Sequence, residues 1–93
     1  MISKSGDSLK VSGAMTLPGA TALLAEGQAS LAEPETLFDL AAVTEVDSSC
    51  IAVIFGWLRE AQRLGKTIRI AHPPRGLLTL AEVYGVTELL PLV

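Results

Sequence analysis

Residues 38–64 read Phe-Asp-Leu-Ala-Ala-Val-Thr-Glu-Val-Asp-Ser-Ser-Cys-Ile-Ala-Val-Ile-Phe-Gly-Trp-Leu-Arg-Glu-Ala-Gln-Arg-Leu. This stretch predicts a buried strand, a loop ending in an acid and two hydroxyls, and a long helix. Leu37, Phe38 and Leu40 form a short apolar run, the signature of a covered strand. Asp47, Ser48 and Ser49 stand immediately before an apolar-periodic segment, where helix N-caps belong. Ile51, Ile54, Phe55, Leu58 and Gln62 follow at spacings of three and four, so four apolar side chains share one face, expected to point inward. Gly65 lies where a C-cap glycine ends a helix.

The opposite face is the informative one. At about 100° per residue, Val53, Trp57, Glu60 and Leu64 fall together on the side away from Ile51 and Phe55. Cys50 sits beside them, toward the helix start. A helix on the outside of a sheet is ordinarily polar there, and this one carries Val, Trp and Leu. Such a patch either packs under another element of the same chain or receives a partner.

With 93 residues, the chain is expected to form one domain, residues 1–93, with room for a single core. Apolar residues make up 49% and aromatics only 4%, which makes that core aliphatic. No apolar run approaches the roughly 20 residues that span a bilayer, so direct membrane insertion is not expected. Met1 to Ser8 is polar and lacks the apolar centre of a secretory signal, which points to the cytoplasm. A single cysteine excludes an internal disulfide. The net charge is −3 and the seven basic residues are scattered, which argues against a nucleic-acid surface and an electrostatic membrane anchor.

Taken in order, Met1 to Gly6 is expected to be a frayed tail. Leu9, Val11, Met15 and Leu17 predict two short strands or one bent strand around Ser12-Gly13. Pro18 suits the first residue of a helix, with Leu17, Ala20, Leu24, Gln28 and Leu31 as its stripe. An interior glycine costs a helix about 1 kcal/mol against alanine, so with Gly19 and Gly27 this helix depends on docking. Lys66 to Ala71 alternates as a strand, and His72-Pro73-Pro74 breaks it. Arg75 to Tyr84 predicts a third helix with Leu77, Leu80, Ala81 and Tyr84 facing in. Val86 to Val93 reads as a final edge strand marked by Pro91. Strands alternating with helices predict an α/β fold, a largely parallel sheet with helices packed on it.

Catalytic patterns are sparse. His72, the sole histidine, precedes two prolines and has no obvious partner in sequence. One His and one Cys make no ligand-spaced metal cluster, and no phosphate-binding glycine loop is present. No catalytic residue, metal or cofactor is therefore expected. Cys50 reads as a small packed thiol rather than half of a redox pair. What remains is Asp47-Ser48-Ser49. These residues satisfy the free N–H groups of a helix start, an effect of roughly 1 kcal/mol. A phosphate on Ser48 or Ser49 would also be tolerated by the helix dipole while repelling a partner that faces Asp47, which makes the loop a candidate switch.

Val46-Asp47-Ser48-Ser49-Cys50-Ile51-Ala52-Val53-Ile54, preceded by Leu37-Phe38-Asp39-Leu40, resembles the STAS domain of anti-sigma-factor antagonists and sulfate-transporter tails. The family pattern is a strand ending near an Asp, then Asp-(Ser/Thr)-small-Gly-Leu, then a helix. Gly6 to Gly13 and Leu80 to Val86 look most like the standalone STAS subunits of Mla-type phospholipid-transport ABC systems. The resemblance implies a mixed sheet of four or five strands with about three helices mainly on one side. It implies a non-enzymatic domain that binds a protein partner, an ABC transporter ATPase, and so sits peripherally at the inner membrane. The alternative it implies is an anti-sigma-factor antagonist whose kinase phosphorylates the first hydroxyl after the Asp, here Ser48. Carried over residue by residue, Asp47 and Ser48 are the loop contacts, with Ser49 and Cys50 beside them. Val53 and Trp57 are helix contacts, and Leu64 extends their stripe. The family usually has Gly where Cys50 stands, so the thiol is expected to fill space that a partner's backbone would approach.

Overall fold

The computed structural model describes residues 1–93. Four strands form one mixed sheet in the order β1 (Ile2–Ser5), β2 (Ser8–Met15), β3 (Glu35–Val46), β4 (Thr67–Ala71). β1 runs antiparallel to β2, and β2, β3 and β4 are mutually parallel neighbours. Three helices, α1 (Ala20–Ala29), α2 (Ser49–Arg63) and α3 (Arg75–Val83), connect and follow the parallel strands. Alternate residues Val11 and Met15, Phe38 and Leu40, and Ile68 and Ile70 bury one face of the sheet beneath these helices. Lys10, just before Val11, and Arg69, between Ile68 and Ile70, are exposed on the other face. The expected architecture therefore holds, with four strands and three α-helices.

The boundaries differ in instructive ways. The expected frayed tail is strand β1, closed on β2 by the two-residue turn Gly6-Asp7 between paired Ser5 and Ser8. Its polar Ser-Lys-Ser sequence suits an edge strand, which needs only one apolar anchor, Ile2. The expected loop after Leu40 is instead the second half of β3. Two register irregularities against β2 let residues 37–46 of β3 run beside residues 8–15 of β2. They end the strand with Val46 beside Met15. The expected final strand reduces to a short 3-10 helix, Thr87–Leu89, and a single parallel bridge from Leu92 to Ile70. Pro91 has no N–H to extend that pairing.

Helices α2 and α3 stop the same way. At the end of α2, Gly65 (φ +70°) donates its N–H to Gln62 at 3.1 Å and Lys66 donates to Ala61 at 2.7 Å. This is a Schellman motif, and only glycine adopts that φ without strain. Gly85 and Val86 repeat it after α3, bonding Glu82 and Ala81. The turn carries Tyr84 outward, so its expected core position is corrected: it is exposed, while Leu77 and Ala81 are buried.

The stripe expected on α1 is also shifted by about one residue. Leu23 and Gly27 are its buried positions, Leu24 is half-buried, and Leu17 lies outside the helix. The cause is Trp57 on α2. Its ring lies 4.2 Å from that of Phe38 on β3, nearly parallel at 11°, and its far edge rests on Gly27. Trp57 Nε1 donates to the carbonyl oxygens of Leu23 and Leu24 at 3.4 and 3.2 Å. Reciprocally, Leu24 packs onto Gly56 of α2. α1 has no side-chain N-cap, so this docking holds it.

Candidate partner-binding site

α2 is the element that places every site residue. The inward face expected from Ile51, Ile54, Phe55, Leu58 and Gln62 is rotated from the observed one. The buried arc is Cys50, Ile51, Val53, Ile54, Trp57 and Ala61, with Phe55 and Leu58 half-buried and Gln62 exposed. Trp57 is 0% exposed. The expected outward stripe is therefore corrected. Cys50, Val53 and Trp57 are all buried, Trp57 against α1, so they form no exposed stripe. Leu64 is 41% exposed, but it stands one helix length, about 22 Å, from Ser49 at 1.5 Å per residue. It does not join the loop.

What remains at the surface is built around the Asp47 carboxylate. Asp47 Oδ1 accepts from the Ser49 N–H at 2.8 Å, capping α2. Asp47 Oδ2 accepts from the Leu17 N–H at 3.0 Å, across 30 positions of sequence. One carboxylate thus fastens the segment leading into α1 to the first turn of α2. Asp47 accordingly holds the loop, with both oxygens engaged. Ser49 is half-buried. Ser48 occupies the N-cap position yet makes no side-chain cap bond, and it is exposed. Beside it Leu17 is 72% exposed. Leu17 is the residue that sequence reasoning misplaced, by assigning it to a helical stripe. It heads a short 3-10 helix, Leu17–Gly19, that precedes α1, and Pro18 is the second residue of that turn rather than the first residue of α1.

The Leu17 and Ser49 amides hold the Asp47 carboxyl below the usual carboxylate range. The Ala41 amide and His72 do the same for Asp39, and Arg63 does so for Glu60. The unfolded chain therefore binds these protons at higher pH than the folded one. Stability is present at neutral pH and is lost as pH falls below about 4. Asp47→Asn is expected to be less stable than wild type at pH 7, with the gap narrowing toward pH 3. Urea midpoints across that range test it; a gap independent of pH would count against the carboxylate.

Cys50 is fully buried, and its thiol is pushed up to about 11 by burial and then by the nearby Asp47 charge. A thiolate at neutral pH is thereby disfavoured. Its side chain points into the core, so the expectation that it crowds the approach to Ser48 is corrected. His72 does have a partner: its Nδ1, just past the end of β4, lies 3.0 Å from Asp39 Oδ1 within β3. The two were unlinked in sequence because only the parallel pairing of those strands joins them.

A family model described as "Mlab, STAS domain" matches residues 1–91. The intermembrane phospholipid transport system binding protein MlaB of Haemophilus influenzae is 39% identical over 51 residues, 55% of this chain and 49% of that protein. The match thus spans about half the length of that curated relative. Among solved structures, a Thermotoga maritima protein assigned as an anti-sigma factor antagonist gives a TM-score of 0.77 at 11% identity, covering 99% of this chain and 83% of that one. The anti-sigma factor antagonist SpoIIAA in its unphosphorylated form gives 0.66 at 11% identity, covering 88% and 80%. At these identities the structural likeness speaks for the fold alone.

Proposed function

This chain belongs to the STAS domain family, and from that membership we propose that it is a non-catalytic protein-binding subunit that docks on the ATPase of an Mla-type phospholipid-transporting ABC complex. The observation that carries the docking is the Asp47 carboxylate, which ties the backbone of exposed Leu17 to that of Ser49, next to exposed Ser48. A backbone held in this way is preorganised, and little entropy is lost when a partner covers it. The transport assignment rests on the 39% identity to a phospholipid transport system binding protein. No helix is long and apolar enough to cross a membrane. The ATPase and its permease would therefore hold the subunit at the inner membrane.

Ser48→Glu tests the reading. Ser48 is exposed and makes no side-chain cap bond, so the substitution is expected to alter stability by less than about 0.5 kcal/mol. A second negative charge beside Asp47 should reduce recovery of the ATPase on the tagged chain at least tenfold, about 1.4 kcal/mol. An unchanged complex overturns the reading. The same free hydroxyl supports one other, an anti-sigma-factor antagonist switched by phosphorylation of Ser48. That reading requires one added phosphate mass at Ser48 when an anti-sigma kinase and ATP are supplied.

A further inference from the structure

We propose that Arg59 is the charged anchor of the docking face, and that the ATPase segment it receives presents a carboxylate flanked by apolar side chains. This deepens the docking reading above and rests on it.

Arg59 lies on the exposed side of α2. Its neighbours are already matched: Arg63 grips Glu60 through two bonds of 2.9 and 2.7 Å. The other ion pair of the molecule joins His72 to Asp39, so Arg59 has none. Lys66, just beyond the helix, is tied to the carbonyls of Leu31 and Ala32. Arg59 is thus the free cation of this face.

Two hollows with apolar walls meet at it. One lies between α2 and the start of α1, walled by Leu17, Leu24 and Ala52. The other lies between α2 and the 3-10 helix Thr87–Leu89, walled by Phe55, Leu58 and Leu89 with Gln62 at its edge. Leu17 and Leu89, on the outer walls, are 72% and 61% exposed. A partner that fills the hollows takes water from the guanidinium between them. Such burial is costly unless a carboxylate meets the fork, and a facing cation would be rejected. Glu88 also borders the second hollow. Its charge disfavours a partner acid there, which directs the incoming carboxylate to the α1 side of Arg59.

The test is titration of the purified chain against its own Mla-type ATPase, for wild type, Arg59→Glu and Arg59→Lys. Melting curves should coincide, because Arg59 holds nothing in the fold. Arg59→Glu is expected to weaken binding about 100-fold or more, and Arg59→Lys, which lacks the planar fork, about tenfold. Raising salt should weaken wild type more steeply than Arg59→Glu. If wild type binds and Arg59→Glu binds equally well, the anchor is overturned and the docking reading stands. If wild type itself does not bind the ATPase, both fall. If the chain instead forms a dimer that Arg59→Glu dissociates, the occupant is a second copy and the proposal is overturned.

Discussion

Trp57→Ala is expected to be strongly destabilised. The indole is 0% exposed, stacks on Phe38 and donates to α1 carbonyls. Truncating a buried Trp costs about 3–5 kcal/mol, against a total of roughly 5–15 kcal/mol for a domain. A cavity between α1, α2 and β3 would remain, and the side-chain bond from α2 to the α1 carbonyls would be lost. Urea unfolding followed by far-UV circular dichroism gives the loss. Trp57→Phe, which can keep the stack but not the N–H bond, should lose less, about 1–3 kcal/mol. In wild type, Trp57 fluorescence should resist acrylamide in the free chain as fully as in a complex. A folded Trp57→Ala with the wild-type midpoint would contradict the packing described. Loss of a partner by this variant would report unfolding, since the side chain touches none.

Gly27→Ala is the second large effect, and its sign reverses the usual rule. In an exposed helix interior the change should stabilise by about 0.5–1 kcal/mol. Here the added methyl carbon would stand 2.0 Å from Trp57 Nε1 and 2.2 Å from its ring. The indole cannot swing away, because Phe38 stacks on it and its N–H is bonded. α1 would have to lift from α2. The expected cost is at the upper end of overpacking values, about 3 kcal/mol. Gly19→Ala is the control: a methyl there meets nothing within 4 Å, and the midpoint should move by less than about 0.5 kcal/mol. Equal midpoints for the two variants would mean that α1 does not seat on the tryptophan.

Much of the fold was legible because local rules and tertiary pairing agree. The parallel strands around Phe38 and Ile70, and the termination of two helices at Gly65 and Gly85, follow from alternation and C-cap chemistry. Strand β1 was missed although Gly6-Asp7 is a two-residue hairpin signal, because the polar segment before it shows almost no alternation. The second half of β3 was read as loop because its irregular register with β2 breaks the period of two. At the site, Ser48 and Asp47 were legible as a helix start, whereas the bond from Leu17 to Asp47 spans 30 positions and leaves no local trace.

The sequence by itself determined that residues 49–63 form a helix, where it ends, and that its apolar content exceeds what one covered face needs. Only the tertiary structure decided which arc is hidden. Apolar residues from Ile51 to Leu58 occupy most of the circumference, so their period selects no single inward direction. The sheet took one side and α1 a second, because at Gly27 the missing side chain lets a tryptophan edge reach the backbone of α1. That contact turned an expected docking stripe into core, and left Ser48, Leu17 and Arg59 at the surface.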